Sequence, residues 1–206
     1  MNARSPESLV RDTGRRNEAV ILNAALQAFG TSGFNGASMR DVAKGAGTSL
    51  SNLYNYFPSK SKLLAAVLRH ANEELRTRVL RAVDEAGDDA PSRLREAVRA
   101  HVGFVVDHQV ATLVATNEVR YLDPADHAEL VSHRDATQAT FERIVAQGAE
   151  DGSFRTPYAD DAARAILGAV AAIASWYRPD GPLNRGQLAE QYARYALALL
   201  EGPLPR

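Results

Sequence analysis

Short hydroxyl and amide side chains cluster between positions 48 and 55 of the sequence. The cluster consists of Thr48, Ser49, Ser51, Asn52 and Asn55. Side chains of this length can approach base edges in the major groove of DNA, and their hydroxyl and amide groups can donate and accept the hydrogen bonds that distinguish one base from another. The five residues are therefore candidates for reading a DNA sequence.

Phenolic and basic side chains beside this cluster are suited to DNA phosphates. Tyr54, Tyr56 and Lys60 can donate to phosphate oxygens, and such contacts fix the position of a protein on the duplex without reading its sequence. Arg40 lies near the start of the preceding predicted helix, where backbone N–H groups also favour an anion. These four residues complete the predicted DNA contact.

Charge is unevenly distributed along the chain. Residues 1–62 hold eight Lys or Arg and four Asp or Glu, a net charge of +4, whereas the rest holds sixteen basic and twenty-one acidic residues, a net charge of −5. All three lysines (Lys44, Lys60 and Lys62) lie in the positive part. A positive segment of this kind favours contact with phosphate, and a chance asymmetry of a mixed surface is the alternative.

Two short helices must position the polar cluster. Ser38 and Asp41 have the spacing of a capping box, which starts one helix, and the glycines of residues 45–47 end it. A second helix over about 49–56 ends before Pro58, because the residue preceding a proline resists the α conformation. Two short helices joined by a glycine-containing turn predict a helix-turn-helix unit.

Helical periodicity extends over the rest of the chain, and no alternating segment predicts a strand. A helix over about 17–31 precedes the short pair, and a long helix over about 60–86 follows it, with Ser59 as its cap. Further helices are predicted over about 92–108, 110–121, 124–149, 159–178 and 185–201. The predicted fold class is all-α, with nine helices.

The segment from Ser38 to Leu68 resembles the amino-terminal signature of the TetR (tetracycline repressor) family of bacterial transcriptional regulators. The resemblance lies in the helix DVAKGAG and in the motif NLYNYFPSK. It implies a nine-helix homodimer whose three amino-terminal helices bind double-stranded operator DNA. It also implies three segments along the chain: a flexible arm over 1–14, a helix-turn-helix domain over 15–62, and a ligand-binding and dimerisation domain over 63–206.

The sequence departs from the pattern of the family in two places, the recognition helix and the start of the long helix. Thr48 stands where relatives usually have an aliphatic residue, and Leu50 stands where a polar residue is common. The long helix begins with Lys60-Ser61-Lys62 instead of acidic residues, and cations in a first turn oppose the helix dipole by about 0.3 to 1 kcal/mol each. For Lys62 two interpretations stay open: a further phosphate contact, or a tolerated surface cost.

The helices after residue 91 have broad apolar faces that could close a core and also line a cavity for an apolar ligand. Core packing is the alternative for each of these side chains. The segment WYRPDGPL at 176–183 resembles one found in members of the family that respond to fatty acids and acyl-CoAs, which favours an acyl-CoA or a similar molecule as the effector. The candidate ligand-binding residues are Val102, Val106, Leu113, Arg120, Phe141, Val145, Ile173 and Trp176.

The last two predicted helices are expected to form the dimer surface. Alanines flank their apolar stripes and would let helices approach closely. The stripes are Ile166, Val170, Ile173 and Tyr177 on the first helix, and Leu188, Tyr192, Tyr195 and Leu199 on the second. Two such helices from each subunit would make a four-helix interface.

Other chemistries have little support in the sequence. The chain has no Cys, which excludes zinc knuckles, disulfides and thiol catalysis and is typical of a reducing cytoplasm. His101 and His108 lie seven residues apart, about 10.5 Å along a helix, which is too far for two ligands of one metal ion. We therefore expect no metal and no cofactor. No nucleophile-elbow or P-loop motif is present, so no enzyme activity is expected either.

Membrane insertion and secretion are not expected, because the chain lacks both a long apolar run and the apolar core of a signal peptide. The sequence thus favours a cytoplasmic repressor that a small apolar ligand releases from its operator. Two alternatives stay open. One is a drug-responsive efflux regulator of the same family, and the other is a helical interaction scaffold without DNA binding, which would leave the positive amino-terminal part unexplained.

Overall fold

The computed structural model of the chain describes residues 6–202, with side chains from Arg16 onward. Within these residues there are nine α-helices and no strand, which confirms the predicted fold class. None of these helices is long and apolar enough to cross a membrane. The helices are α1 (Pro6–Gly36), α2 (Met39–Gly45), α3 (Leu50–Tyr56), α4 (Lys60–Glu85), α5 (Ala90–Asp107), α6 (Gln109–Asn117), α7 (Pro124–Glu150), α8 (Ala159–Trp176) and α9 (Arg185–Leu199), with a 3₁₀ helix (Val119–Tyr121) between α6 and α7.

Helix α1 begins earlier than the sequence predicts. It starts at Pro6, because proline is favoured at the first position of a helix. Residues 6–14 of the predicted arm are therefore helical, whereas residues 1–5 of that arm lie outside the described residues. Near the other end of α1, Gly33 has a φ of 66°, a conformation that favours glycine and that interrupts the helix.

Side-chain caps begin both short helices, and the first of them is the capping box that the sequence predicts. The Ser38 hydroxyl accepts from the Asp41 amide at 3.2 Å, and the Ser38 amide donates to the Asp41 carboxylate at 3.3 Å, which confirms the capping box. The Ser49 hydroxyl caps α3 by accepting from the Asn52 amide at 3.1 Å. Caps of this kind stabilise a helix by about 0.5 to 2 kcal/mol. They matter here because helices of seven residues have little stability of their own.

The chain divides into two compact units. The first unit comprises the residues up to His70 together with Val114–Ala128, and the second comprises Ala71–Leu113 and the residues from Glu129 onward. In the first unit α2 packs against both α1 and α3. Its buried apolar side chains include Ile21, Phe29, Val42, Leu53 and Leu64.

Helix α5 is the centre of the second unit and packs against α8 and α9. Its buried side chains belong to one continuous core that also contains most of the apolar stripe predicted for the dimer surface. Those residues are Ile166, Val170, Ile173, Tyr177 and Leu188. That part of the prediction is wrong, because α5 already covers these side chains within the subunit. The small side chains on the opposite face of α8 are the exposed ones.

Candidate DNA-binding interface

Helices α2 and α3 form a helix-turn-helix unit at the surface of the first compact unit. The turn between them contains Gly47, with a φ of 62°, and the Thr48 amide donates to the Ala43 carbonyl at 3.0 Å. Val42 on α2 and Leu53 on α3 are buried, which holds the two helices in the core. The inward direction of these apolar side chains leaves the opposite face of α3 exposed.

The exposed face of α3 brings together several of the predicted DNA contacts. Ser51, Tyr54 and Asn55 are exposed, and Tyr54 retains 46% of its surface. Asn52 and Tyr56 are half-buried on the same helix. An exposed aromatic residue among short polar side chains combines a phosphate donor with groups able to hydrogen-bond base edges. This face therefore has the composition of a DNA-reading surface.

Thr48 and Ser49 have hydrogen-bond partners within the protein. The Thr48 hydroxyl accepts from Nδ2 of Asn52 at 2.7 Å, and the Ser49 hydroxyl accepts from the Asn52 backbone amide at 3.1 Å. The first bond holds the Asn52 amide group in one orientation, which leaves its Oδ1 atom available to accept from a base. Thr48 thus orients Asn52. This role differs from the base reading that the sequence predicts for Thr48.

Lys60 lies at the start of α4, and its amino group faces the connection between α1 and α2. Its Nζ donates to the carbonyl oxygens of Phe34 at 2.6 Å and Ala37 at 2.8 Å. The same atom lies 4.5 Å from the centre of the Phe34 ring, in a cation–π contact. The two hydrogen bonds to carbonyl oxygens use two of the three ammonium hydrogens of Lys60, so only one remains for the predicted phosphate contact.

Lys62 is paired with acidic side chains. Its Nζ lies 2.9 Å from the Asp123 carboxylate and 3.0 Å from that of Asp126, and hydrogen bonds to Asp123 and Asp126 raise the pKa of Lys62. A phosphate contact would require this cation to leave two carboxylates. Arg40, exposed in the first turn of α2, is better placed for a phosphate.

The segment between α6 and α7 supports the same unit through contacts that the sequence does not reveal. The Glu118 carboxylate accepts from the Phe34 amide at 3.1 Å. The Tyr121 ring stacks on the Phe34 ring with 4.7 Å between centroids, and its hydroxyl accepts from Asn35 at 2.9 Å. The Tyr121 carbonyl accepts from the Ser61 hydroxyl at 3.0 Å. Residues 118–121 thus hold the end of α1 and the start of α4.

The eight candidate ligand-binding residues do not all belong to one unit. Arg120 lies in the first compact unit, where its guanidinium is 5.1 Å from the centre of the Tyr121 ring, and the other seven lie in the second unit. Val102, Phe141, Val145 and Ile173 are fully buried core residues, and Val106 and Leu113 pack partly buried against that core. Trp176 is 47% exposed and stacks on Tyr192 at 6.5 Å.

The histidines considered as metal ligands have separate surroundings. His101 is buried beside Phe141, whereas His108 stacks on Phe104 and contacts Arg78. Among the described residues, no three His, Cys, Asp or Glu side chains come together in a group that could hold a metal ion.

The helix-turn-helix and the exposed polar face of its second helix are the features of a DNA-binding protein. Residues 21–67 match the family model of the bacterial regulatory proteins of the tetR family, and residues 87–200 match the model of the tetracyclin repressor-like carboxy-terminal domain. The chain belongs to the TetR family, which confirms the resemblance found in the sequence.

Relatives of the chain match over nearly its whole length. The HTH-type transcriptional repressor KstR2 of Mycobacterium tuberculosis strain H37Rv is 29% identical over 185 residues, which are 89% of this chain and 91% of the relative. The crystal structure of PfmR, a TetR family transcriptional regulator from Thermus thermophilus, has a TM-score of 0.79 and 27% identity, and the match covers 90% of this chain and 99% of that one. AibR, solved in complex with isovaleryl coenzyme A and operator DNA, has the same fold, with a TM-score of 0.80, 22% identity, and coverage of 91% of this chain and 100% of that one.

Proposed function

We propose that the chain is a cytoplasmic repressor that binds operator DNA as a homodimer and is released by an apolar effector of the acyl-CoA or fatty-acid class. The observation that carries the DNA-binding part is the exposed polar face of α3, where Ser51, Tyr54 and Asn55 lie beside an oriented Asn52. The similarity to KstR2, a transcriptional repressor, supports the direction of regulation. In this proposal the site binds a partner and carries out no catalysis.

Exposed apolar surface on the last two helices supports dimerisation through α8 and α9. Trp176, Tyr195 and Leu199 retain 47%, 55% and 44% of their surface. The Tyr192 ring contacts those of Trp176 and Tyr195, at 6.5 and 5.7 Å between centres, so the aromatic side chains form a continuous patch of the kind that marks an interaction surface. On α8 the exposed small residues Ala169 and Ala172 would allow close approach of a second helix. Two recognition helices in one dimer can bind half-sites about one helical turn apart, roughly 34 to 36 Å.

Three single substitutions separate the roles assigned to the DNA contacts. Asn55→Ala should change the preference at one base position by about 1 to 3 kcal/mol, because it removes a base-reading group. Arg40→Met should lower the slope of log affinity against log salt by about 1.8 per dimer, since each phosphate contact contributes about 0.9 and there are two heads. Lys62→Met should leave the slope unchanged, because Asp123 and Asp126 already pair this cation. Fluorescence anisotropy with the DNA that flanks the encoding gene measures both effects.

Each assignment has an outcome that contradicts it. A uniform loss of affinity on every sequence in the Asn55 variant would show that this residue does not read bases. A slope reduced as much by Lys62→Met as by Arg40→Met would restore the phosphate interpretation of Lys62. No binding to any flanking DNA would favour the helical interaction scaffold, whereas affinity that does not depend on salt would contradict the assigned phosphate contacts.

The proposed effector class is supported by the broad apolar faces of the second unit and by the WYRPDGPL segment. The AibR complex adds that this fold accommodates an acyl-CoA and operator DNA. An effector can change operator affinity only by as much as it prefers one state of the dimer over another, and a coupling of about 1 to 3 kcal/mol is typical. Release from the operator therefore requires an effector that binds the DNA-free state more tightly.

Thermal shift of the purified protein distinguishes the effector classes. Acyl-CoAs or fatty acids are expected to raise the melting temperature, because a ligand at about 100 times its dissociation constant adds about 2.7 kcal/mol to the stability of the folded state. Planar aromatic drugs serve as the comparison set. If only those drugs raise the melting temperature, the chain is a drug-responsive efflux regulator and the acyl-CoA proposal is wrong.

A further inference from the structure

His101 is a polar side chain in the apolar core of the second unit. The residue is 7% exposed, and its Nδ1 atom is buried without a hydrogen-bond partner in the described part of the chain. Its ring lies against that of Phe141 on α7, with 6.2 Å between the ring centres. Buried polar atoms in folded proteins nearly always have a partner, so an unpaired nitrogen in this position indicates a missing one.

The described contacts of His101 are apolar, and burial is the only influence that shifts its pKa. One turn before and after His101 on α5, Ala97 and Val105 are buried and apolar. On α7 the buried hydroxyls of Thr137 and Thr140 donate to carbonyls of their own helix, at 3.4 and 3.3 Å, and the Thr140 hydroxyl also accepts from the Arg143 guanidinium at 3.3 Å. Burial alone lowers the pKa of His101 to about 4, so the imidazole is neutral at pH 7. A neutral imidazole keeps one N–H donor and one acceptor nitrogen.

A neutral donor in apolar surroundings selects among the groups that an apolar effector can carry. A carboxylate or a phosphate brought next to His101 would be a buried charge facing a neutral imidazole, which is strongly unfavourable. A carbonyl or a thioester oxygen needs only one hydrogen bond to be satisfied. An imidazole protonated on Nδ1 can give that bond, and in doing so it satisfies its own unpaired atom.

We propose that His101 binds the neutral carbonyl oxygen of an elongated apolar effector and is the polar group that orients this effector in the second unit. The proposal rests on the proposed function, in which the second unit binds an acyl-CoA-like molecule. It adds a specific recognition group that the apolar ligand candidates, Val102, Phe141 and Val145 among them, cannot provide. The effector class is thereby narrowed to molecules that carry an uncharged carbonyl group on an apolar chain.

A comparison of two probes and two protein forms tests this role. Decanoyl-CoA carries the thioester carbonyl, and S-decyl-CoA is the matching thioether without it. The wild-type protein should bind decanoyl-CoA about two- to tenfold more tightly, the range expected for one hydrogen bond. His101→Phe should bind both probes with equal affinity. Isothermal titration calorimetry measures the four affinities, and His101→Leu repeats the test with a smaller side chain in case phenylalanine does not fit.

A matched control uses His127, an exposed histidine of the first unit. His127→Phe should keep the wild-type preference for decanoyl-CoA. If the wild-type protein binds both probes but the His101 variants keep the preference, the role of His101 is wrong and the effector class stands. If the wild-type protein binds neither probe, the acyl-CoA class is wrong. The carbonyl contact is then tested by itself, by comparing the rise in melting temperature that 2-decanone causes with the rise that decane causes. Failure of 2-decanone to stabilise the wild-type protein more than the His101 variants overturns the inference.

Discussion

Replacing Gly148 with alanine is expected to lower the free energy of unfolding of the second unit by about 3 kcal/mol. Gly148 is buried on α7, and a Cβ atom there would lie 2.5 Å from Cε2 and 2.7 Å from Cγ of Phe154. Phe154 is itself buried, and its amide donates to the Gly148 carbonyl at 2.8 Å, which holds the Phe154 backbone beside α7, so the ring can avoid the new methyl group only by rotating out of its buried position. Overpacking a core costs about 1 to 3 kcal/mol, and exposing a buried phenylalanine costs about 1.5 to 3 kcal/mol. The higher helix propensity of alanine offsets only about 0.5 to 1 kcal/mol of this loss.

Replacing a glycine inside a helix with alanine ordinarily raises the free energy of unfolding, whereas a decrease is expected here. The prediction is therefore specific to the contact between residue 148 and the Phe154 ring. Urea unfolding followed by the fluorescence of Trp176, the only tryptophan, reports on the second unit. A double-mutant cycle supplies the control. In a Phe154→Ala background the same Gly148→Ala change should stabilise by about 0.5 to 1 kcal/mol, because the methyl group then enters empty space. A loss that persists without the Phe154 ring would place its cause elsewhere.

Local rules made the helix-turn-helix predictable from the sequence. The capping box of Ser38 and Asp41 and the cap at Ser49 act over three residues, so their spacing along the chain fixes their geometry. The end of α3 before Pro58 follows from the restriction that proline places on its neighbour. The beginning of α1 was harder to predict, because Gly14 and a polar composition oppose the weak favourable effect of Pro6.

Contacts between distant residues explain what the sequence could not predict. The partners of Lys62 lie about sixty residues away on the 3₁₀ connection and α7, and Glu118 meets the Phe34 amide across a separation of 84 residues. The stripe of Ile166 and Val170 has the same periodicity whether α5 or a second subunit covers it. Periodicity shows that a helix face is buried, and only the tertiary arrangement shows which neighbour buries it.

The surroundings of the His101 imidazole are a further feature that the sequence could not predict. From the sequence, His101 could be compared only with His108, seven residues further along the same helix and too far away to share a metal ion with it. Whether its ring meets water, a carboxylate or an apolar wall depends on α7, which begins more than twenty residues later. The environment decides the protonation state, and the protonation state decides which ligand groups the residue can bind.

Acid is expected to destabilise the second unit between about pH 6.5 and pH 4, by up to about 3 kcal/mol, through His101 alone. Burial lowers the pKa of His101 from 6.5 to about 4 in the folded protein. As the pH falls through this window, His101 takes up a proton in the unfolded chain but not in the folded protein. The contribution of neutral His101 to stability is therefore fully present above the pKa of the unfolded state, and it is lost as the pH falls toward the pKa of the folded state. A difference of about 2.5 pKa units at 1.36 kcal/mol each sets the upper limit.

The His101→Leu variant isolates this contribution from the carboxylates of the same unit. Burial raises the pKa of Asp107, but hydrogen bonds from Arg185 and Arg78 outweigh it and hold that pKa below its usual value. The stabilising effect of Asp107 is therefore lost only below about pH 4, outside the histidine window. Urea unfolding at fixed protein concentration from pH 7.5 to 4.5 should show a steep loss in the wild-type protein and a much flatter one in the variant. Equal slopes would mean that the imidazole is protonated in the folded state, which would also remove the neutral donor on which carbonyl recognition depends.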